Sequence, residues 1–221
     1  MVDVTVDVWG SFACFAQSEA KVEKVTYSAP TPSACRGILS AIYCKPVEFY
    51  YQIKQIEVMN PIRRISIKRN EVMRKADKDH NPLYVDDVRT QRNAEYLKDV
   101  YYRISAQMIK RTDYEGPEGD AKFKTQFMKR VERGKCFYQP YLGTKECMCF
   151  FSAPDESMKP IQSSMDLGIT LYDIFDIRDN TPLDTQQQTG RIFVTYYHPY
   201  MINGIINVPD YDSAEVFKPH E

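Results

Sequence analysis

The sequence predicts an α+β fold of the split strand–helix–strand type, with a basic insertion and a small C-terminal β-sheet domain. Three observations predict it. Apolar residues recur with period two in separated stretches, two intervening segments carry helix start and stop signals, and the last third keeps only short strand-like runs. With 221 residues, 43% apolar and 27% charged, the chain has the size of one large domain or a domain with a modest appendage.

Val2, Val4, Val6 and Val8 alternate with Asp3, Thr5 and Asp7, so the first element is a half-buried strand. Residues 10–30 show no sustained period and read as a long loop. Thr31 then offers a cap, Pro32 suits the first helical position, and Ile38, Leu39, Ala41 and Ile42 form the apolar side of a short helix that Lys45-Pro46 ends. Phe49, Tyr51 and Ile53 alternate with polar neighbours, and the phase slips at Ile56 and Val58, which predicts a bulge or bend in a long strand. Residues 60–95 are rich in Arg, Lys, Asn and Asp around Ile62, Ile65 and Ile67, the pattern of an inserted hairpin or basic arm. Val100, Tyr102, Ile104, Ala106 and Met108 restore strand alternation. After a Gly116-Pro117 turn, Asp120 can cap a helix running to about Arg133, with Gly134 as its stop. A loop over 134–143 leads to a strand at about 145–152. This order of strand, helix, strand, strand, helix, strand is ferredoxin-like and occupies residues 1–153. Leu167–Ile177, Gly190–Tyr197 and Ile205–Val208 predict a small all-β unit over 154–221 that packs on it.

No apolar run approaches the roughly 20 residues of a bilayer span, and Met1–Val8 alternates acid with valine unlike a signal peptide, so a cytoplasmic chain is expected. Six cysteines in a chain of this length do not suggest a disulfide scaffold. Cys147 and Cys149 would share one strand face, where small thiols pack. A zinc site would want a second C-x-x-C or a His pair, and only His80, His198 and His220 occur, so no structural metal is expected. The formal net charge of −1 hides a segregation. Residues 61–111 carry 13 Lys/Arg against 7 Asp/Glu, and 120–149 carry 7 against 3, whereas 150–221 carry 4 against 11. Two basic blocks joined by a short acidic turn can make one phosphate-binding face, because local fields rather than net charge decide binding within a Debye length. The same cations can also merely solvate exposed strands.

On a helical wheel at 100° per residue from Phe123, Phe127, Val131, Met128 and Ala121 define an apolar arc, and Lys124 falls inside it. Lys122, Lys129 and Arg133 fall on the opposite side. A lysine among core positions in a first turn either snorkels past the helix end or points into a polar cleft. Tyr43 lies in the last turn of the first helix, where a tyrosine usually packs its ring and leaves its hydroxyl at the surface. In a split strand–helix–strand unit both helices lie on one sheet face, so the end of the first can approach the start of the second. A phenol can hold a ribose 2′-OH while ammonium groups stabilise charge at the phosphorus, a metal-free route through phosphodiester chemistry. Since an ordinary phenol has a pKa near 10, orientation is its safer role. The loop at 134–143 interleaves Lys135 with Phe137, Tyr138 and Tyr141, a mixture suited to single-stranded RNA. Nucleophile-elbow, Walker, dinucleotide and H-E-x-x-H motifs do not occur.

The segment Tyr27 to Pro46, reading YSAPTPSACRGILSAIYCKP, resembles the first-helix signature of the type I-C (Dvulg) CRISPR-associated RNA endonucleases of the RAMP superfamily. Met59-Asn60-Pro61-Ile62, Tyr96-Leu97-Lys98-Asp99-Val100 and Tyr141-Leu142-Gly143-Thr144-Lys145-Glu146-Cys147 fit in the same order. The resemblance implies a RAMP-type ferredoxin-like domain with a β appendage, and an endoribonuclease that cuts precursor CRISPR RNA at the base of the repeat hairpin. It implies no metal or other cofactor, a 2′,3′-cyclic phosphate product, and retention of the product as a subunit of a type I-C antiviral surveillance complex. The family's catalytic set, a tyrosine at the end of helix one and a lysine-histidine pair near the start of helix two, carries Tyr43 over directly. The pair departs: this chain reads Lys122-Phe123-Lys124, with Lys124 at the histidine position and Lys122 able to substitute if the alignment slips. Without that histidine, Lys124 acts by a depressed pKa or by electrostatic help, or His198 reaches in from the β appendage, or cleavage is slower. Arg36, Arg63, Arg64, Lys68, Arg69, Lys129, Arg133, Lys135 and Tyr138 are the candidate RNA contacts.

Two other readings compete. A non-catalytic RNA-binding subunit needs the basic blocks but neither Tyr43 nor Lys124, and a protein-assembly subunit predicts little salt dependence. Weak DNA binding stays open, although nothing specifies base recognition in a groove.

Overall fold

Alternating valines commit the first segment to a strand, and in the computed structural model that strand, β1 (Val2–Ala13), runs further than the valines alone required. The structure describes residues 1–20, 22–75, 78, 82–112, 114–116, 119–174, 176–178 and 194–219. The expected loop at 10–30 begins only after Ala13, four residues late, and Ala16 and Thr26 form a bridge inside it. Helix α1 (Pro32–Ile42) starts as its sequence dictates: the Thr31 hydroxyl accepts from the Ala34 amide at 3.1 Å and Pro32 opens the first turn. Tyr43 is its C-cap, in extended geometry rather than within the last turn.

The next strand, β2 (Phe49–Val58), has the phase slip as a register shift between Ile53 and Gln55 against its neighbour. The basic stretch is a hairpin: β3 (Arg64–Val72), a single turn α2 (Val85–Val88), and the first half of β4 (Arg89–Lys110). Beyond Leu97, β4 enters the main sheet between β1 and β2. Asp99 sits at that junction with φ of 52°, a left-handed conformation that aspartate tolerates better than most residues, and its carbonyl accepts from the Asn60 side chain. Helix α3 (Asp120–Glu132) ends at Gly134, whose φ of +60° completes the stop. Its N-cap is Gly119 rather than Asp120, and Pro117 of the expected turn lies outside the described residues.

Of the expected 145–152 strand, Met148 makes an isolated bridge to Tyr141, and Phe150–Ser152 pairs as β5 against β1 at Asp7–Trp9. Cys147 and Cys149 precede it in irregular chain, yet both are buried, so their packing role stands without the strand. The C-terminal runs give β6 (Met165–Asp166), β7 (Thr170–Asp173), β8 (Thr195–Tyr197), β9 (Tyr200–Ile202) and β10 (Ile205–Asn207). The Gly190 start expected for one of them lies outside the described residues.

The described strands form one large antiparallel sheet in the order β5-β1-β4-β2-β10-β9-β6, with β3 paired to β4, and a two-stranded sheet β7-β8. The last third thus adds strands β10, β9 and β6 to the same sheet through β2, and β7 packs beside α1. Val4, Val6, Val8, Ile56, Ile104 and Met108 line the face covered by Ile38, Leu39 and Ile42 of α1 and by Phe123, Phe127 and Val131 of α3. On the opposite face Asp7 is fully buried, which alternation alone reads as a polar, open position. Arg103 donates to it from Nε at 2.7 Å, Tyr101 from its hydroxyl at 3.1 Å, and the Asp155 amide at 2.9 Å, so the segment after β5 covers it. Beside it, cross-strand partners Phe150, Trp9 and Tyr101 stack in a row.

Candidate functional site

The C-terminal end of α1 gathers most of the candidate chemistry. Its last carbonyls need partners outside the helix. The Ala41 carbonyl accepts from the Phe137 amide at 2.7 Å and the Tyr138 amide at 3.3 Å, and the Ile42 carbonyl from Arg130 at 3.2 Å. The aromatic loop is thereby fastened beside Tyr43. The Tyr43 ring is buried, 5.6 Å from Phe49, with the Arg130 guanidinium 5.4 Å above it. Its carbonyl accepts from the Tyr51 hydroxyl at 2.7 Å. Phe49 in turn lies 5.0 Å from Phe123, so two ring contacts lead from Tyr43 to the first turns of α3.

Lys122 and Lys124 flank Phe123 there, and both side chains are exposed. Lys124 is not part of the buried arc: only Phe123, Phe127 and Val131 are buried, Met128 is half-buried and Ala121 is exposed. The helix thus buries a stripe narrower than the wheel allows, and a lysine at its margin in the first turn reaches solvent. His198 is not brought to Tyr43. It bonds Asp166 at 2.6 Å and stacks on Tyr200 at the β6–β9 edge, whereas His80 and His220 lie outside the described residues.

The candidate RNA contacts fall into three groups. Lys129, Arg133 and Lys135 line a depression of about 540 Å³ at the end of α3, together with Arg130. Sequence reasoning missed Arg130, although it stands one heptad from Phe123 and so on the flank of the buried stripe, where a long cation meets a neighbouring helix end. Arg36 and Tyr138 line a separate cleft of about 350 Å³ between α1, the 138–143 loop and the end of β7. Arg36 is held there by the buried Asp173, from Nε at 2.9 Å and from a terminal nitrogen at 3.1 Å. No sequence signal predicts this pair, because its partners lie 137 residues apart.

Arg63, Arg64, Lys68 and Arg69 belong to the arm. Arg63 and Lys68 are exposed. Arg64 pairs with Glu95 at 2.5 Å. Arg69 bonds the Tyr96 hydroxyl at 2.6 Å and Glu146 at 2.5 Å, and Lys24 bonds the same carboxylate at 2.9 Å. Burial alone would raise the Glu146 pKa, but the hydrogen bonds from Lys24, its own backbone and Arg69 win and hold it at about 2. These two arginines therefore tie the arm down as well as offering charge. Among the described residues no group of three or more His, Cys, Asp or Glu could hold a metal, and no helix is long and apolar enough to cross a membrane.

Residues 3–209 match the family model described as CRISPR-associated protein (Cas_Cas5). Two curated relatives are similar along nearly their whole lengths. The CRISPR pre-crRNA endoribonuclease Cas5d of Thermus thermophilus is 36% identical, over 100% of this chain and 97% of its own. The CRISPR pre-crRNA endoribonuclease Cas5d of Mannheimia succiniciproducens is 34% identical, over 96% of this chain and 97% of its own. Among solved structures, a CRISPR-associated protein superposes with a TM-score of 0.68 at 22% identity, covering 98% of this chain and 96% of that one. A functionally uncharacterized protein from Streptococcus mutans gives 0.68 at 19% identity, covering 98% and 97%. At these identities the two structures speak for the fold.

Proposed function

The chain belongs to the CRISPR-associated Cas5d family, and from that premise we infer that it is an endoribonuclease that cuts precursor CRISPR RNA at the repeat hairpin. In this reading the ribose 2′-OH attacks the adjacent phosphate without a metal, leaving a 2′,3′-cyclic phosphate, and the protein stays on the product as a subunit of a type I-C surveillance complex. Its core is RAMP-type and ferredoxin-like, for which the sequence β1-α1-β2-β4-α3-β5 and the order β5-β1-β4-β2 speak. Residues 1–153, with the basic arm at about 60–95, process RNA, and 154–221 form a β appendage.

The single observation that carries the mechanism is the chain of ring contacts from Tyr43 through Phe49 to Phe123. It joins the phenol that caps α1 to the turn of α3 that offers Lys122 and Lys124. Tyr43 orients the attacking hydroxyl, and an ammonium group from Lys124, or from Lys122, stabilises the charge that builds on the phosphoryl oxygens. The exposed position of Lys124 suits electrostatic help from solvent's edge rather than a buried general base. Lys129, Arg133 and Lys135 hold the RNA backbone, joined by Arg63, Arg64, Lys68 and Arg69 from the arm, while Arg36 and Tyr138 contact the RNA at the cleft.

Incubation of the purified chain with its own repeat RNA in excess EDTA tests this reading. The expected result is a single cut whose upstream fragment ends in a 2′,3′-cyclic phosphate. Intact hairpin after long incubation with excess protein, or cutting only when magnesium is restored, would refute it.

A further inference from the structure

The cleft beside α1 has walls that a phosphate backbone does not need. Tyr138, 45% exposed, and Tyr141 line it, Leu171 and Ile174 add apolar residues, and Arg36 supplies a planar cation. The Asp173 carboxylate behind its Arg36 wall is already matched by Arg36, by the Ser33 hydroxyl at 3.3 Å and by the Ile174 amide at 2.8 Å, so it brings no unbalanced negative charge. A volume of about 350 Å³ lies at the small end of ligand sites, which run from about 300 to 1,000 Å³.

Gly37 adds an independent sign. It stands in the middle of α1, where glycine is a poor helix former, and a Cβ built on it would meet nothing within 4 Å. Packing thus gives no reason for the missing side chain. What its absence does is keep the cleft wall low, since Gly37 lines the same space.

The cleft is also placed next to the proposed chemistry. Tyr138 is tied to Ala41, two residues before Tyr43, and Lys135 of the basic depression is only three residues before Tyr138. At most about 11 Å of chain separates those two positions, a span that neighbouring nucleotides bridge. We propose that this cleft binds one unpaired nucleobase of the RNA, adjacent to the ribose-phosphate offered to Tyr43, and so selects the bond that is cut. The inference rests on the RNA-processing reading above. Rings and a guanidinium plane that stack on a base suit single-stranded RNA, whereas the cations at the end of α3 take the flanking phosphates.

The test uses the full chain in excess over its repeat RNA, carrying 2-aminopurine at one unpaired position at a time. At one position the fluorescence should fall by about fivefold or more on binding, as stacking on an aromatic ring requires. Tyr138→Phe should preserve that quenching, and Tyr138→Ala should abolish it at saturating protein. Gly37→Leu, which favours the helix while filling the cleft, should abolish it too without lowering the melting temperature. Quenching at no position, or equal quenching with Tyr138→Ala and Gly37→Leu, overturns the proposal. Cleavage read on gels from the same mixtures separates the two claims. Cutting without quenching sinks the base pocket alone, and quenching without cutting sinks the processing reading while the pocket stands. Binding of a tyrosine- or phenylalanine-bearing peptide that Gly37→Leu abolishes, with no RNA position quenched, would assign the cleft to a protein partner and overturn it.

Discussion

Asp7 shows how much a single side chain can carry outside the hydrophobic core. It is a fully buried carboxylate whose charge Arg103, 12% exposed, neutralises, while Tyr101 and the Asp155 amide fill its remaining acceptor positions. A buried pair adds little over a well-packed apolar pair, but removing one partner strands the other. Asp7→Ala is therefore expected to lower the unfolding free energy by about 3–5 kcal/mol in urea titrations. The Tyr101 hydroxyl, raised to about 12 by burial and by Asp7, stays protonated and donating across the working pH range. Gly143 is a second sensitive residue. Its φ is +87° and an added Cβ would stand 2.0 Å from the Cys14 carbonyl oxygen, a backbone atom that cannot step aside. Gly143→Ala should cost about 1–3 kcal/mol or more and shift the loop carrying Tyr138 and Tyr141. The glycine was legible as part of a motif, whereas the burial of Asp7 was not. Period two assigns Asp7 to the face away from the valines, and only the distant Asp155 segment decides that this face is closed there.

At the level of elements, local signals were read correctly where the physics is local. Thr31-Pro32 capped α1, Gly134 stopped α3, and the phase slip in β2 marked a real register shift, since each depends on a few neighbouring residues. The strand expected at 145–152 is shortened to Phe150–Ser152, because pairing depends on β1, which meets it at Asp7–Trp9. The arm was recognised as an insertion from its charge, but not how it is anchored. Lys24, Arg69 and Tyr96 converge on Glu146, joining four segments distant in sequence. Because the folded Glu146 pKa lies below that of an unfolded glutamate, its contribution is fully present above about pH 4.5 and is lost as pH falls towards about 2. The acid limb of a melting-temperature profile should flatten in that window in Glu146→Gln. Amide exchange along β3 should also quicken in this variant at neutral pH. An unchanged acid limb would mean that the arm is held by its β4 ladder alone.

For the whole molecule, the near-zero net charge conceals a division of labour. The end of α3 and the arm collect the cations, and the residues from 150 onward collect the acids. Such a field should give strongly salt-dependent RNA binding despite the formal charge of −1. Replacing Lys129, Arg133 and Lys135 together by alanine should reduce the slope of log affinity against log salt by about 2–3. A slope unchanged by that triple variant would move the phosphate path elsewhere. The candidate site was only partly legible. Tyr43 and the basic loop could be named from the sequence, while Arg130, the Arg36–Asp173 pair and the cleft emerge only when α1, α3 and β7 come together. The wheel angle put Lys124 inside the apolar arc, whereas it is exposed at the margin of a narrower buried stripe, because helix angle says nothing about how much of a helix a sheet covers.

The central claim is that the phenol of Tyr43 acts in the cutting step rather than in holding the RNA. Single-turnover cleavage of the repeat hairpin by Tyr43→Phe, measured beside hairpin affinity, addresses it most directly. The account predicts a rate lowered by about 10²–10⁴ with affinity unchanged. A Tyr43→Phe enzyme that cuts at the wild-type rate, or whose affinity collapses in step with its rate, would contradict it.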